Sequence, residues 1–253
     1  MKPHFCSLLP VPDLLKVENL LVIQPHPDDM EIGAGGTIAH LVKSGTRVNC
    51  LTVTDGSVGT TDTNVSQDDL IARRRDEIKK SASILGIENL IWLDFDDGGI
   101  LPLEIIRSEI TCYIRQLKPN ALMVCDPWLP YEAHSDHIRT GLAAAEAGLL
   151  AHMPYFCPAD MQDGLQPHSV EMIAFYYTAY PNTFIDVAKT WDKKMAAIDC
   201  HRSQFSAEQG EKLKQYLEAK ASEEASNQNG ALVETFKVLS PGHLHIFEQA
   251  WQC

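Results

Sequence analysis

Two carboxylates and an imidazole stand close together in the segment 24–31, which reads QPHPDDME. Placing an imidazole beside two adjacent carboxylates is costly unless a cation neutralises them. His26 and Asp29 are three residues apart, so the simplest assignment makes them metal ligands and leaves Asp28 free to act as a base. The alternative is a solvated acidic turn that carries an isolated histidine.

A second group of candidate ligands occurs in the segment 134–137, which reads HSDH. Together, His26, Asp29 and His137 provide two histidines and one carboxylate. Three protein ligands leave the fourth position of a tetrahedral zinc ion open to water, which is the pattern of catalytic sites. Zinc lowers the pKa of this water to around 7, and Asp28 would accept its proton. The same donors suit Fe(II), Mn or Co, so these residues leave the identity of the metal open.

The other polar residues of this second segment suggest further roles. We expect His134 to stabilise an oxyanion and to protonate a leaving nitrogen, and Asp136 to orient one of the imidazoles. A histidine pair at the start of a helix is more often structural than catalytic. The matching segment 24–31 favours the catalytic interpretation here.

Elements that could bring the two segments together alternate along the first part of the chain. Apolar runs predict buried strands and the stretches between them predict helices, a pattern typical of a parallel sheet with helices on both faces. We expect strands at 20–25, 47–54, 89–95 and 121–126, and helices near 35–44, 67–85, 103–117 and 135–151.

The acidic and histidine clusters all follow predicted strands. The segment 24–31 follows the first strand, Asp55 the second, Asp97 the third and the segment 134–137 the fourth. In a doubly wound sheet the carboxyl ends of the strands form one rim, and ligands bind where the strand order reverses. With the order 3-2-1-4-5, the first and fourth strands flank that crevice. We therefore predict a Rossmann-like, doubly wound, mostly parallel α/β fold whose crevice holds both segments.

The pattern changes after residue 151, where a proline-rich loop begins. We interpret residues 1–253 as a single domain, with a Rossmann-like core at 1–150 and an elaboration at 151–253 that closes the pocket. The low-complexity patch 218–230 suggests a helix end followed by a mobile loop. In the elaboration we expect strand-like runs at 170–179 and 183–187, and helices at 191–205 and 207–222.

One arginine of the helix predicted at 67–85 requires an explanation. Arg74 shares a stripe with apolar residues at helical spacing, whereas its two neighbouring arginines do not. An inward-facing arginine needs a partner, which could be a ligand oxyanion or a carboxylate of the site. A purely structural ion pair with an aspartate such as Asp55 or Asp97 is an equally good explanation.

Glycine and aromatic residues near the two segments are also open to functional interpretation. The segment 33–36, GAGG, lacks the spacing of a dinucleotide-binding fingerprint, and we interpret it as a tight turn with close helix–sheet packing. Trp128 lies in a loop between the two segments and is a candidate for stacking on a sugar face. The run 175–177, FYY, is more typical of strand core.

Composition excludes some partners and suggests a location. The 21 Lys+Arg residues against 34 Asp+Glu give a formal net charge of −13, which argues against nucleic acid and anionic membranes as partners. The seven cysteines are scattered without a CxxC motif, and we expect them to be reduced thiols. No apolar run approaches the ~20 residues of a transmembrane helix. We expect a cytoplasmic protein with a neutral or cationic small-molecule substrate.

The motifs resemble those of a known family. The segments PHPDD at 25–29 and HSDH at 134–137, with Arg74, Glu77 and Asp97 between them, resemble the LmbE/PIG-L family. Its members are metal-dependent N-deacetylases that act on N-acetylglucosamine groups.

Longer motifs are similar to one subgroup of that family, the diacetylchitobiose deacetylases. They are LTVTDGSVGTTD at 51–62 and DPWLPYEAH at 126–134, and the segment from YYT at 176–178 through SQF at 203–205 also fits. Two positions depart from the usual family pattern, because Met30 precedes the glutamate and Ser135 stands where proline is usual. The second change is mild, since the site needs the flanking histidine and aspartate rather than the proline.

The resemblance implies a Rossmann-like fold, one zinc ion per chain and a homo-oligomer, a trimer or hexamer, whose pockets are closed by neighbouring chains. It leaves open whether His245 acts in its own or a neighbouring pocket, or is simply a strand residue near the C-terminus. The residues it implies are His26, Asp29 and His137 as metal ligands, Asp28 as base, Arg74, Asp97 and His134 at the substrate, and His245 as a pocket residue.

The function we expect is removal of acetate from N-acetylglucosamine or short chito-oligosaccharides such as diacetylchitobiose. One alternative is a deacetylase of another glucosamine conjugate, such as a thiol-cofactor precursor, although few basic residues lie near the motifs to bind an acidic conjugate. Another is a sugar- or metal-binding protein without catalysis. Asp28 argues against it, because metal binding does not need this second carboxylate.

Overall fold

The computed structural model describes residues 9–226 and 231–253. Within them the chain forms the strands β1 (Asn19–Gln24), β2 (Arg47–Thr54), β3 (Asn89–Phe95), β4 (Ala121–Cys125), β5 (Met172–Tyr176), β6 (Thr183–Asp186) and β7 (Val233–Leu239). These strands join one sheet in the order β3-β2-β1-β4-β5-β7-β6. The predicted order 3-2-1-4-5 is therefore confirmed, and with it the α/β fold.

The helices are α1 (Asp29–Lys43), α2 (Gln67–Leu85), α3 (Leu103–Leu117), α4 (Ser135–Leu150), α5 (Ala159–Gln162), α6 (Trp191–Ile198) and α7 (Ala207–Ala225). Helix α1 packs against α2 and α6, while α3 packs against α4. The connection from β1 through α1 to β2 runs along the sheet in one direction, and the connection from β4 through α4 to β5 runs in the other. Because both crossovers are expected to be right-handed, the two groups of helices lie on opposite faces of the sheet. Local signals set the ends of α2, since Ser66 caps its first turn and Gly86 ends it with φ 83°.

The centre of the sheet is buried on both faces, which explains why its strands read as continuous apolar runs. Every residue of β1 and of β4 is buried. β1 pairs in parallel with β2 on one side and β4 on the other, with Leu20 opposite Ala121. The strand order reverses between β1 and β4, so a crevice forms at their carboxyl ends.

The C-terminal part of the chain adds strands to the same sheet. β7 is antiparallel to both β5 and β6, and all of its residues are buried. The sequence pattern predicts no strand there, because Glu234 and Lys237 interrupt the apolar pattern. Both side chains are buried beside polar partners, which a pattern of hydrophobicity does not show.

Three predicted boundaries are wrong. Helix α1 begins at Asp29 rather than near residue 35, so the segment 33–36 lies inside the helix and forms no turn. The close packing predicted for it is present, since a Cβ on Gly33 would lie 2.4 Å from Tyr176 Cδ2. Helix α6 ends at Ile198 instead of residue 205, and β5 is shorter than the predicted 170–179. After α6 the chain turns so that His201 becomes buried.

Cysteine chemistry and membrane insertion bear on the predicted location. Cys253 is disulfide-bonded, so the prediction of reduced thiols is wrong there, because spacing does not show which sulfur atoms the fold brings together. Cys6 and residues 227–230 of the low-complexity patch lie outside the described residues. Among the described helices none is long and apolar enough to span a bilayer. A cytoplasmic location stays a prediction. Among the described cysteines, the free thiols are Cys50, Cys112, Cys125, Cys157 and Cys200.

Candidate metal centre

The polar cluster is carried by loops at the carboxyl ends of parallel strands. The segment 24–31 connects β1 to α1, the segment 134–137 begins α4, and Asp97 follows β3. Because β1 and β4 are neighbours where the strand order reverses, the two segments meet. The ring centroids of His26 and His137 are 5.4 Å apart.

Asp29 lies between two histidines. Its Oδ2 atom is 3.2 Å from His26 Nδ1, and its Oδ1 atom is 3.3 Å from His137 Nε2. One donor atom from each of these three residues lies within 4.8 Å of the others, close enough to bind one ion together. We refer to His26, Asp29 and His137 as the ligand trio.

The far nitrogen of each imidazole in the trio faces a carboxylate. His26 Nε2 is 3.2 Å from Asp136 Oδ2 and 3.2 Å from Asp97 Oδ1. His137 Nδ1 is 3.3 Å from Glu132 Oε2, an ion-pair distance without the geometry of a hydrogen bond. Metal-bound histidines usually direct their other nitrogen to a carboxylate or carbonyl, which fixes the ring orientation and the tautomer. Asp136 therefore lies where the sequence analysis placed an orienting group, and Glu132 was missed.

A second grouping of donors shares His26 and consists of His26, Asp97, His134 and Asp136. In that set His26 would bind through Nε2, which would leave His137 without a role. Asp136 Oδ2 already accepts a hydrogen bond from Gly98 N at 2.9 Å. The ligand trio explains both histidines and their carboxylate partners, so we favour it.

The electrostatics of the cluster require a positive charge. Burial alone would lower the pKa of His26, but hydrogen bonds with Asp136, Asp29 and Asp97 raise it to about 12. Burial also opposes ionisation of Asp29, yet the imidazoles of His137 and His26 hold its pKa well below the usual range. A divalent cation on the same atoms would supply this charge, and imidazole nitrogens with a carboxylate oxygen suit zinc. The residues fit a metal ion.

Asp28 is the second carboxylate of the cluster and does not belong to the trio. Its φ of 127° is strained for a residue with a side chain, and that side chain does not cap α1. Instead it lines a cavity of about 310 Å³, the metal cavity, together with the trio. Burial raises the pKa of Asp28 to about 7. A buried carboxyl group with a pKa near neutrality is suited to accept and release a proton.

Arg74 is buried beside Asp28 and ties two loops together. Its Nη2 atom donates to Pro27 O at 2.9 Å and its Nη1 atom to Gly56 O at 3.0 Å. The nearest carboxylate oxygens belong to Asp28, at 3.5 Å, and Asp97, at 4.0 Å. The two explanations offered by the sequence therefore converge, because the ion-pair partners of Arg74 are themselves residues of the site.

The other predicted partner of Arg74 has a different role. Asp55 Oδ1 accepts hydrogen bonds from Ser57 N at 2.9 Å and from Asp97 N at 3.2 Å. Asp55 thus stabilises the loops after β2 and β3 and forms no pair with the guanidinium group.

His134 is the N-cap of α4 and lines the metal cavity. Its Nδ1 atom accepts a hydrogen bond from Asp136 N at 3.4 Å, which leaves Nε2 to carry the proton of the neutral ring. Burial lowers the pKa of His134, and the imidazoles of His26 and His137 lower it further. A neutral imidazole with a free N–H can donate to an oxyanion.

The sequence profile of PIG-L, described as GlcNAc-PI de-N-acetylase, matches residues 21–148. These residues contain the whole ligand trio. The chain is also 44% identical over 201 residues to the diacetylchitobiose deacetylase of Thermococcus kodakarensis, which covers 79% of this chain and 75% of that protein. The chain belongs to the PIG-L family. The predicted resemblance is thus confirmed, including its deacetylase subgroup.

Solved and curated PIG-L relatives resemble the chain over most of its length. The N,N'-diacetylchitobiose deacetylase from Pyrococcus horikoshii, complexed with its inhibitor MPG, matches with a TM-score of 0.90 and 34% identity, covering 98% of this chain and 97% of that one. A probable N-acetyl-alpha-D-glucosaminyl L-malate deacetylase 2 of Bacillus anthracis is 28% identical over 214 residues, covering 78% of this chain and 86% of that protein.

Two further residues of this PIG-L chain contact the site and were missed. Tyr177 donates from its hydroxyl to Asp29 O at 3.2 Å, and its ring stacks on His137 with centroids 6.2 Å apart. It lies just beyond β5, in the run that the sequence suggested was strand core. Gln204 lines the metal cavity, and its buried Oε1 has no hydrogen-bond partner among the described residues. Neither side chain belongs to a cluster of metal-binding residue types, so spacing did not reveal it.

Two predicted substrate residues lie outside the metal cavity. Trp128 is 53% exposed and lines a separate cavity of about 320 Å³ with Tyr180 and Trp251, above the buried ring of Phe175. We call this the aromatic cavity. His245 directly follows a short 3-10 helix (Pro241–Leu244) as its C-cap. It is exposed and lines neither cavity. It is also not a strand residue, and its predicted role stays a prediction.

Proposed function

We propose that this PIG-L chain is a zinc-dependent deacetylase that removes acetate from N-acetylglucosamine or its short β-linked oligomers, with diacetylchitobiose as the main substrate. The observation that carries the proposal is Asp28, a buried carboxyl group with a raised pKa beside the ligand trio. Metal binding alone does not need this group. The names of two similar proteins, both diacetylchitobiose deacetylases, support the choice of substrate.

The residues divide the hydrolysis of an acetamide among them. When bound by the trio, zinc would polarise the acetamide carbonyl and acidify a water molecule. Asp28 accepts a proton as that water attacks the carbonyl carbon, and Arg74 keeps the carboxylate in place. His134 donates a hydrogen bond from Nε2 to the oxyanion. As the C–N bond breaks, the proton that Asp28 took from water passes to the leaving nitrogen, which returns Asp28 to its carboxylate form. The products are acetate and the free amino sugar.

An acidic glucosamine conjugate fits the cavity less well. Among the described residues that line the metal cavity, Arg74 is the single arginine or lysine. Its guanidinium group is already bonded to two backbone carbonyls and lies beside Asp28. A carboxylate such as that of a malate conjugate would find no other permanent cation there. The lining of the cavity therefore favours a neutral oligosaccharide.

The decisive experiment measures acetate release from N-acetylglucosamine, diacetylchitobiose and the N-acetylglucosaminyl conjugates of malate and inositol. We expect the highest kcat/KM for diacetylchitobiose. A preference for the malate conjugate would replace the proposed substrate but retain the reaction. A zinc-loaded protein that releases acetate from none of these amides would refute the deacetylase proposal.

We also propose that the aromatic cavity receives the second sugar of diacetylchitobiose, so Trp128 should contribute to binding of the disaccharide but not of the monosaccharide. Trp128→Ala should raise the KM for diacetylchitobiose by about 3- to 10-fold, equivalent to roughly 0.5–1.5 kcal/mol of ring contact, with kcat on N-acetylglucosamine unchanged. Tyr155→Ala, at another exposed aromatic residue, is the control. An equal effect on both sugars would contradict this role.

Arg74 offers a test of the link between loop structure and chemistry. Arg74→Lys should lower the free energy of unfolding by about 1–3 kcal/mol, because a lysine cannot hold two carbonyl oxygens in a fork. It should also lower kcat, since the positive charge leaves its place beside Asp28. The exposed Arg73→Lys is the matched control. Thermal unfolding and kinetics would contradict the interpretation if Arg74→Lys behaved like this control.

Assembly and the role of His245 complete the proposal. We propose a homo-oligomer, a trimer or hexamer, in which the exposed His245 reaches the pocket of a neighbouring chain. Its exposure in the single chain is compatible with such a role. Sedimentation measurements on the full chain test the assembly, and a monomer with full activity would exclude it.

A further inference from the structure

The interior of helix α1 is bonded to two side chains from distant parts of the chain. Gly36 N donates to Glu234 Oε1 at 3.0 Å, and Thr37 N donates to Glu234 Oε2 at 2.7 Å. In an α-helix the Gly36 N–H bonds to the carbonyl of Ile32. That carbonyl also accepts a hydrogen bond from Lys194 Nζ at 2.8 Å.

Lys194 and Glu234 form a buried ion pair that is bonded to the backbone of the helix. Lys194 Nζ is 2.5 Å from Glu234 Oε1, and the two residues are 2% and 5% exposed. They come from α6 and β7, which both belong to the C-terminal elaboration. Burying two charges is costly unless further hydrogen bonds satisfy them, and the backbone of α1 provides those bonds.

The glycines of segment 33–36 allow the pair to reach the helix backbone. A Cβ on Gly35 would lie 3.3 Å from Lys194 Cγ, and a Cβ on Gly36 would lie 3.2 Å from Glu234 Oε1. Larger side chains would therefore push the pair away from the N–H and C=O groups that it binds. The pair thus accounts for Gly35 and, together with Val187, for Gly36, two glycines that metal binding does not explain.

The bonded carbonyl belongs to the turn that carries the metal site. Ile32 N donates to Asp28 O at 3.1 Å, so Ile32 closes the first turn of α1. Asp29 lies in that turn, and Asp28 lies immediately before it. Ile32 also lines the metal cavity. A shift of its carbonyl would move both carboxylates relative to His26.

We propose that the Lys194–Glu234 pair positions the first turn of α1, and that it thereby sets the metal affinity of the trio and the placement of Asp28. This inference rests on the proposed metal-dependent function. It predicts that metal affinity depends on two residues that contact no ligand of the metal.

A second buried ion pair of the same fold provides a matched control. Arg115 Nη1 is 2.9 Å from Asp160 Oδ2, Arg115 is fully buried, and its guanidinium group also binds backbone carbonyls. This pair joins α3 to α5, neither of which lines the metal cavity. Asp160→Asn should therefore reduce stability as loss of a buried ion pair does, without affecting the metal.

The experiment compares Glu234→Gln, Lys194→Met and Asp160→Asn after removal of metal by a chelator. Each full-length protein is titrated with Co²⁺, and affinity, the cobalt absorption spectrum and thermal unfolding are recorded. We expect Glu234→Gln and Lys194→Met to weaken Co²⁺ binding by about 10-fold or more, the effect typical of outer-shell residues, and to alter the spectrum. Asp160→Asn should lower the unfolding temperature and leave both unchanged.

A single substitution that leaves one buried charge unpaired could prevent folding. The double variant Lys194→Met/Glu234→Gln removes both charges and avoids that cost. We expect it to fold, to bind Co²⁺ about 10-fold more weakly and to show a changed spectrum. Co²⁺ affinity and spectrum equal to those of the unaltered chain would overturn the proposal.

Hydrogen exchange separates this inference from the proposed function. In the chelator-treated double variant the amide of Ile32 should exchange faster than in Asp160→Asn, because the first turn has lost its anchor. If the unaltered chain bound no metal, the metal-dependent function would fail, while this exchange result would still decide the positioning role. Equal exchange rates in the two variants would refute it.

Discussion

Replacing Asp28 by asparagine is expected to lower kcat on diacetylchitobiose by about 10²- to 10⁴-fold, the usual contribution of a general base. Asparagine keeps the shape of the side chain and tolerates the positive φ of this position better than most residues. It removes the negative charge and with it the capacity to accept a proton. Because Asp28 is not part of the ligand trio, the metal content should stay at one equivalent per chain.

The comparison that makes this result specific is Asp29→Asn. Asp29 lies between His26 and His137, so losing its charge should release the metal as well as the activity. Elemental analysis of both purified variants, together with their kcat values, gives the answer. If Asp28→Asn lost the metal while Asp29→Asn kept it, the roles assigned to the two carboxylates would be reversed.

The position of the site was predictable because it depends on strand order alone. Each strand of the first half is an apolar run followed at once by polar residues, and such runs are the strongest signal in a sequence. Parallel pairing then brings the carboxyl ends of β1 and β4 together, and with them His26 and His137. Local spacing within two short segments, with this strand order, was sufficient to predict that His26, Asp29 and His137 lie together.

The start of helix α1 was not predictable from the same signals. Glycine disfavours helices by about 1 kcal/mol relative to alanine, so the run at 33–36 indicated a turn. In the structure, tertiary contacts with Glu234 and Lys194 outweigh this preference. Glu234 lies 198 residues beyond Gly36, and Lys194 lies 162 residues beyond Ile32. No local sequence rule applies at such separations.

The residues that surround the trio were missed for a related reason. Tyr177 and Gln204 reach the site through the C-terminal elaboration, whose topology the sequence did not reveal because β7 carries buried charges. Trp128 was placed beside the site by its position in a connecting loop, yet its ring lines the aromatic cavity. Its proximity in sequence to the two segments predicted that Trp128 lies near the site, but not which cavity its ring lines.

Removal of one imidazole from the trio is expected to abolish metal binding at working concentrations, and with it deacetylation. His137→Ala leaves two protein ligands where three are needed for a catalytic zinc site. The matched variant is Glu132→Gln, which retains the ligand and alters only the carboxylate 3.3 Å from His137 Nδ1. Its metal affinity should fall by roughly 10- to 100-fold, the usual cost of an outer-shell change, and His137→Ala should lose more than that.

The same measurement decides between the two possible sets of ligands. If the metal is held by the grouping of His26, Asp97, His134 and Asp136, then His134→Ala should lose it and His137→Ala should retain it. We expect the opposite, with His134→Ala keeping one equivalent of metal while its turnover falls, because His134 stabilises the oxyanion. Zinc added back to chelator-treated protein should restore the full activity of the unaltered chain and the lower activity of His134→Ala. It should not restore activity to His137→Ala. A metal-free protein with full activity would exclude both sets.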